Sequence, residues 1–234
     1  MWKNEIKLVL DSSSSPLTLA LRCNGKTYRA SKSGIKQEGY LFALIQKLYA
    51  KAGCAFKDTN SFFFIKGPGR FTGIRIAVTL AAMLKELAGA QIASANVFDL
   101  LHWQAVNSKE FKTWASKNEG GLFAAVVHAF REEYFLQIFD GSSAPQWLTL
   151  PVLSDILKQQ KKPLFIAGCG KDNKPLKEIL PGNFTFASDK LNKVQAPALL
   201  DFIPAPQTVQ ETLEPLYLKP ARFEAPSACK QAPK

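Results

Sequence analysis

The chain has 234 residues, of which 47% are hydrophobic, and its formal net charge is +11. This length and apolar content suffice for one large domain or for two small lobes. No apolar run reaches the roughly 18 residues that span a bilayer, and the N-terminus lacks the pattern of a signal peptide. We therefore expect a cytoplasmic protein without a membrane segment.

The first half of the chain predicts three strands, a helix, a strand and a second helix. Aspartate, serine and proline in Asp11–Pro16 predict a turn after the first strand, and Asn24-Gly25 predicts a tight turn after the second. Gly53 follows the first helix as its stop signal. The predicted elements are strands over 5–10, 17–21, 26–30 and 61–65, and helices over 37–52 and 74–88.

The second half repeats this order weakly, with strands predicted over 122–128, 133–139 and 163–167. The polar stretch over 108–121 between the halves is predicted to be a variable excursion. The β-β-β-α-β-α order predicts an α/β, actin-like two-lobe fold, as in sugar kinases and heat-shock ATPases, with mixed sheets flanked by helices. We assign residues 1–106 to the first lobe, 107–220 to a smaller second lobe and 221–234 to a loose basic tail.

A glycine-rich segment, Lys66–Arg75, joins the phenylalanine-rich strand over 61–65 to the second helix. It fails the P-loop pattern because no Lys-Ser or Lys-Thr follows, and it fails the dinucleotide pattern because Gly73 comes one residue late. Its backbone N–H groups and Thr72 could still bind an anion. The alternative is a tight turn that lets the following helix pack closely.

The sequence contains few residues in patterns typical of a catalytic site. Asp11, Ser12 and Ser13 are weak candidates for a nucleotide site, because actin-like ATPases hold phosphate at this turn. The corresponding turn of the second half, His128–Glu133, is bulky where phosphate needs glycine. The two histidines, His102 and His128, form no ligand cluster, and no G-x-S-x-G segment occurs. We predict no catalytic residue, no metal and no cofactor of the protein's own.

The helix over 74–88 is apolar on all sides and needs cover on two of them. Its own sheet supplies one cover, and either the first helix or a second protein chain supplies the other. The interface hypothesis predicts that Ala81→Arg abolishes pairing and leaves folding intact, whereas packing within the chain is the alternative. The candidate interface residues are Leu41, Leu44, Ile45, Leu48, Ala77, Ala81, Leu84 and Ala88.

Residues 67–75, GPGRFTGIR, resemble the G-P-G-[SR]-F-T-G-[VIL]-R signature of the TsaB family, also called YeaZ, of bacterial tRNA threonylcarbamoyladenosine biosynthesis proteins. The segments 8–13, 128–135 and 214–219 resemble three further family segments, so the resemblance covers essentially the whole chain. The matching residues of the signature are Gly67, Pro68, Gly69, Phe71, Thr72, Gly73 and Arg75.

The resemblance implies a non-catalytic scaffold or activator subunit of the complex that makes N6-threonylcarbamoyladenosine at position 37 of tRNA. It implies pairing with the catalytic subunit TsaD through the two helices of the first lobe, joined by the ATPase TsaE. It also implies a homodimer when alone, tRNA contact through the complex, and nucleotide only within that complex. His128, Phe130 and Gln37 depart from the family pattern and weaken a polar pocket in the cleft.

Two other functions are weighed against this one. A stand-alone nucleotide-binding ATPase or kinase of the actin-like superfamily would show turnover and magnesium-dependent ATP binding. An M22-type glycopeptidase-like protein would need metal ligands that this sequence lacks. The positive charge favours a polyanionic partner such as nucleic acid, with a lysine-rich, soluble surface as the alternative.

Overall fold

The structure, a computed structural model, describes residues 5–34, 38–168, 174–180 and 184–219. The described chain forms two five-stranded sheets with helices around them. The strands are β1 (Lys7–Asp11), β2 (Leu17–Cys23), β3 (Lys26–Lys32), β4 (Ser61–Ile65), β5 (Gln91–Ala95), β6 (Leu122–Phe130), β7 (Glu133–Phe139), β8 (Gln146–Thr149), β9 (Leu164–Ala167) and β10 (Phe184–Phe186). The helices are α1 (Glu38–Ala52), α2 (Phe71–Ala88), α3 (Val97–Val106), α4 (Lys109–Ala115), α5 (Leu150–Lys158), α6 (Lys174–Ile179), α7 (Ala196–Asp201) and α8 (Val209–Leu213), with a 3-10 turn over Phe56–Asp58.

The two sheets share one topology. The first sheet has the order β3-β2-β1-β4-β5, antiparallel on the β2 side of β1 and parallel on the β4 side. The second sheet has the equivalent order β8-β7-β6-β9-β10 with the same strand directions. This duplicated mixed sheet is the architecture of actin-like two-lobe proteins and confirms the predicted fold class.

Local sequence signals position the elements of the first sheet. Asn24 and Gly25 both have positive φ, 50° and 74°, as the tight turn between β2 and β3 requires. Gly89, at φ 63°, ends α2 in the left-handed conformation, and its N–H donates to Lys85 O at 3.1 Å. These turns agree with the predicted strand and helix ends.

Three features of the chain differ from the prediction or fall outside it. The stretch over 108–121, predicted to be a variable excursion, contains helix α4. Phe111 and Trp114 lie three residues apart on one side of this helix, and both pack on Phe165 of the second sheet, which stabilises the helix. Helix α2 begins at Phe71, three residues earlier than predicted, so part of the signature is helical. The predicted tail over 221–234 and Gln37 lie outside the described residues.

The core is layered around the two sheets. One hydrophobic cluster lies between the first sheet and helices α1 and α2, and another lies between the second sheet and α5 and α6. A third cluster joins the inner faces of both sheets through α3, α4 and α7. Helix α7 packs on β1 and β2, and α3 packs on β6. Buried contacts therefore cross the predicted boundary between residues 106 and 107, and the lobe limits stay a prediction.

None of the helices in the described part of the chain is both long enough and apolar enough to cross a membrane.

Candidate functional site

The glycine-rich loop between β4 and α2 is tied to two distant segments of the chain. Lys66 O accepts a hydrogen bond from Leu216 N at 2.7 Å, and Gly67 O accepts one from Val97 N at 2.8 Å. Gly67 has a φ of 127°, and a Cβ placed there would overlap Leu216 O and lie 3.2 Å from Ile74 Cδ1. Position 67 therefore needs glycine both for its backbone conformation and for this close approach.

The same loop contacts the turn that follows β1. Arg70 N donates to Ser13 O at 2.7 Å, and Ser12 Oγ donates to Gly73 O at 2.8 Å. A Cβ at position 69 would overlap Ser13 O and lie 2.8 Å from Ser13 Cβ. The close backbone approach that Gly69 permits is thus made to the protein's own first turn, which supports the tight-turn alternative from the sequence.

Among the other signature residues, Pro68 and Gly73 are buried, whereas Phe71, Thr72 and Arg75 are exposed. Phe71 and Thr72 form the first turn of α2 and are exposed, with 57% of Phe71 accessible. The Phe71 ring lies 4.9 Å from the Tyr217 ring, and the Arg75 guanidinium lies 5.4 Å from the Phe71 ring. An exposed aromatic pair beside an arginine has the composition of interaction hot spots.

The candidate nucleotide residues Asp11, Ser12 and Ser13 are all buried. The Asp11 carboxylate accepts hydrogen bonds from Ser13 N at 2.9 Å, Ser13 Oγ at 2.6 Å and Ser14 Oγ at 3.3 Å. Burial raises the pKa of Asp11 above its usual range, and the bonds from Ser13 and Ser14 oppose this shift. The polar atoms of the turn thus serve its own structure, and a nucleotide role for it remains a prediction.

The raised pKa of Asp11 predicts a pH-dependent effect of Asp11→Asn. The folded protein holds the Asp11 proton to higher pH than the unfolded chain, so this group costs stability as pH rises above the usual aspartate range. Asparagine stays neutral and keeps an oxygen that can accept from Ser13 N. We expect the free energy of unfolding of the variant, relative to wild type, to increase from pH 4 to pH 7 in urea titrations. A relative stability that falls over this range would mean that Ser13 and Ser14 stabilise an ionised Asp11.

The β6–β7 turn holds bulky residues, as the sequence indicates. Phe130 is 57% exposed, Arg131 has a φ of 53°, and His128 Nε2 lies 2.7 Å from Arg131 O. The other histidine, His102, is half-buried and stacks on Phe139 at 4.1 Å; burial lowers its pKa. Within the described ranges, no group of three or more His, Cys, Asp or Glu could hold a metal ion.

Most of the predicted interface residues lie in the core. Six of them are buried between the first sheet and its two helices, where α1 and α2 cover the same face of the sheet. Leu44 and Ala88 alone of the predicted set are partly exposed. The interface prediction is therefore wrong for the six, because the small-residue stripe of α2 packs inside the lobe. They are Leu41, Ile45, Leu48, Ala77, Ala81 and Leu84.

The outward faces of α1 and α2 carry a different set of residues. Ala43 and Thr79 are exposed, and Phe42 and Leu87 are exposed large apolar residues, 54% and 74% accessible. Ala43 and Thr79 lie on the side of each helix opposite the buried stripe. Phe42 and Leu87 lie at the margin of the stripe, beside Leu41 and Leu84. The helical period of the sequence could have identified them once the stripe was assigned to the core.

Two sheets of the same order, each with helices on its faces, define an actin-like two-lobe protein whose glycine-rich loop is an internal packing element. No family model matches the chain. The chain is 23% identical over 175 residues, 71% of its length and 80% of the relative, to a curated protein of Buchnera aphidicola subsp. Schizaphis graminum, the tRNA threonylcarbamoyladenosine biosynthesis protein TsaB.

Two solved structures share the fold. YeaZ from Pseudomonas aeruginosa superposes with a TM-score of 0.60 at 19% identity, covering 84% of this chain and 89% of that one. A protein described as having similarity to peptidase YEAZ from Pseudomonas aeruginosa superposes with a TM-score of 0.63 at 17% identity, covering 92% and 100%. Together with the curated relative, these matches confirm the resemblance to the TsaB (YeaZ) family that the signature predicts.

Proposed function

We propose that this chain is a non-catalytic scaffold or activator subunit in the synthesis of N6-threonylcarbamoyladenosine on tRNA. Its partners are a TsaD-like catalytic subunit and a TsaE-like ATPase, it forms a homodimer when alone, and it meets tRNA through the complex in the cytoplasm. The observation that carries the proposal is the similarity to a TsaB protein over 71% of the chain, whose name assigns that relative to this pathway.

The absence of catalysis is supported by the contacts of the two turns where an actin-like ATPase would hold phosphate. In the first of these, the β1–β2 turn, the Asp11 carboxylate accepts hydrogen bonds from Ser13 and Ser14, and the backbone of Gly69 closely approaches Ser13. The β6–β7 turn places Phe130 and Arg131 where a phosphate would need bare backbone. We therefore assign to this subunit no nucleotide turnover of its own.

Pairing is assigned to the outward face of α1 and α2. Ala43 and Ala50 on α1 and Thr79 on α2 are small and exposed, so a partner helix can approach closely there. Phe42 and Leu87 add exposed apolar area beside these small residues. These exposed residues replace the six buried ones as the candidate contacts with a partner.

Co-purification with the TsaD-like subunit tests the pairing. Thr79→Arg places a long charged side chain on the proposed contact face, and we expect it to weaken binding at least tenfold with an unchanged unfolding midpoint. Val152→Arg is the matched control, because Val152 is 47% exposed on α5, beside the second sheet. No association of the wild-type chain would overturn the proposed function, whereas equal binding by Thr79→Arg would overturn only the choice of surface.

Depletion of the chain in its host tests the pathway. The threonylcarbamoyladenosine content of bulk tRNA, measured by mass spectrometry of nucleosides, should fall, and the wild-type gene should restore it. An unchanged content after depletion would contradict the assignment.

A further inference from the structure

A cavity of about 330 Å³ lies at the free edge of the first sheet, on the face that α7 covers. Asp11, Ser14 and Pro16 of the β1–β2 turn border this cavity, and no residue of α1 or α2 lines it. Its volume is at the lower end of the range for small-molecule sites, about 300–1,000 Å³. Polar and basic side chains contribute to its walls.

Strand register forms one wall. Asp11, Thr18 and Ser31 are consecutive cross-strand partners on β1, β2 and β3, and Arg29 follows two residues before Ser31 on the same face of β3. All four residues line the cavity. Because β3 is the edge strand, Arg29 has no further strand beside it. Two hydroxyl groups and a guanidinium thus face the same space.

The segment before α7 forms the opposite wall. Lys193 lines the cavity there and is exposed. Gln195 holds the segment in place, since its backbone N–H donates to Gln104 Oε1 at 2.9 Å and its side chain donates to Lys193 O at 3.2 Å. A well-fixed backbone therefore carries the second cation of the cavity.

The charges of this cavity are unbalanced. Neither the Arg29 nor the Lys193 side chain forms an ion pair or a hydrogen bond with another described residue. The carboxylate in the lining, Asp11, is buried and accepts hydrogen bonds from Ser13 and Ser14. Two cations with no partner of their own leave the cavity attractive to an anion.

We propose that this cavity binds the phosphate group of a small phosphorylated molecule. Arg29 supplies a planar fork of donors that matches phosphate oxygens, Lys193 supplies a point charge, and Thr18 and Ser31 supply hydroxyl donors. A concave site with two cations suits a small ligand better than a nucleic-acid backbone, whose binding relies on a row of phosphate contacts. The site is independent of the proposed function and of the partner surface.

Isothermal titration calorimetry of the full chain tests the site with three probes: adenosine monophosphate, inorganic pyrophosphate and adenosine. We expect the two phosphate compounds to bind and adenosine to give no heat. Arg29→Ala and Lys193→Ala should each weaken binding at least tenfold, the usual size of a lost charged hydrogen bond.

Lys32→Ala is the matched control. Lys32 lies on the same strand, but its ammonium group is 4.6 Å from the Tyr40 ring of α1, on the opposite face of the sheet. The control removes the same charge and should bind the phosphate probes as the wild-type chain does. Equal weakening by Lys32→Ala would show that net charge alone attracts the probes, and this would overturn the site. The absence of binding by adenosine monophosphate and pyrophosphate would overturn it as well.

Discussion

Ala81→Arg is expected to unfold the first lobe rather than to separate it from a partner. Ala81 is fully buried on α2, in the cluster between the first sheet and its helices. An arginine there would bury an unpaired charge and overfill a packed core. We expect a loss of at least about 3 kcal/mol from the free energy of unfolding, a large fraction of the roughly 5–15 kcal/mol that holds a domain together.

Urea unfolding followed by circular dichroism measures this loss, with Thr79→Arg as its control. Thr79 lies two residues earlier on the same helix and is exposed, so this variant introduces the same side chain and the same charge. It should stay within about 0.5 kcal/mol of the wild-type chain. Equal stability of the two variants would mean that position 81 faces solvent, and the packing of α2 would have to be revised.

Local sequence patterns predict β1 to β4, α1 and α2, because their apolar residues repeat clearly and turn residues separate them. Strand β5 was missed because Gln91–Ala95 is short and only weakly hydrophobic. It is placed by parallel pairing with β4 and by Ser94, whose hydroxyl donates to Thr212 O at 2.9 Å. That partner comes from a distant part of the chain, so no local pattern could indicate the strand.

Apolar residues on all sides of α2 correctly predicted that other elements pack on two of its sides. They did not predict which elements these are. Inside the chain, β4 and β5 of the first sheet, the 3-10 turn over Phe56–Asp58 and α8 contact α2, and Leu213 of α8 packs on the same cluster. A partner chain would have produced the same sequence pattern. Deciding between them required the placement of a C-terminal helix that the sequence alone did not reveal.

The glycine-rich loop and the cavity also differ in what the sequence predicts. Features set by neighbouring residues are predicted, whereas contacts between residues far apart in the chain are not. Counting glycines excluded the common phosphate loops, because those patterns depend on local spacing. The contacts that explain Gly67, with Val97 and Leu216, join segments far apart in the sequence. Arg29 and Lys193 likewise meet at one cavity only because α7 returns to the first sheet.

Gly69→Ala is expected to cost about 2–4 kcal/mol of stability, combining an overpacked contact with a lost hydrogen bond. The added Cβ would meet Ser13 O and Ser13 Cβ, and a backbone atom cannot move aside as the end of a flexible side chain can. Relieving the overlap would pull Arg70 N away from Ser13 O, where it now donates a hydrogen bond at 2.7 Å.

Gly39→Ala is the matched control for this glycine, because a Cβ at position 39 would have nothing within 4 Å. Gly39 lies in the first turn of α1, so Gly39→Ala should keep the free energy of unfolding within about 0.5 kcal/mol of the wild-type value. Chemical denaturation of both variants separates the two roles considered for the loop. A packing loop loses stability in Gly69→Ala, whereas a loop that only cradles an anion keeps its stability and loses binding. A Gly69→Ala variant as stable as the wild-type chain would therefore contradict the packing role and restore the anion cradle as the better interpretation.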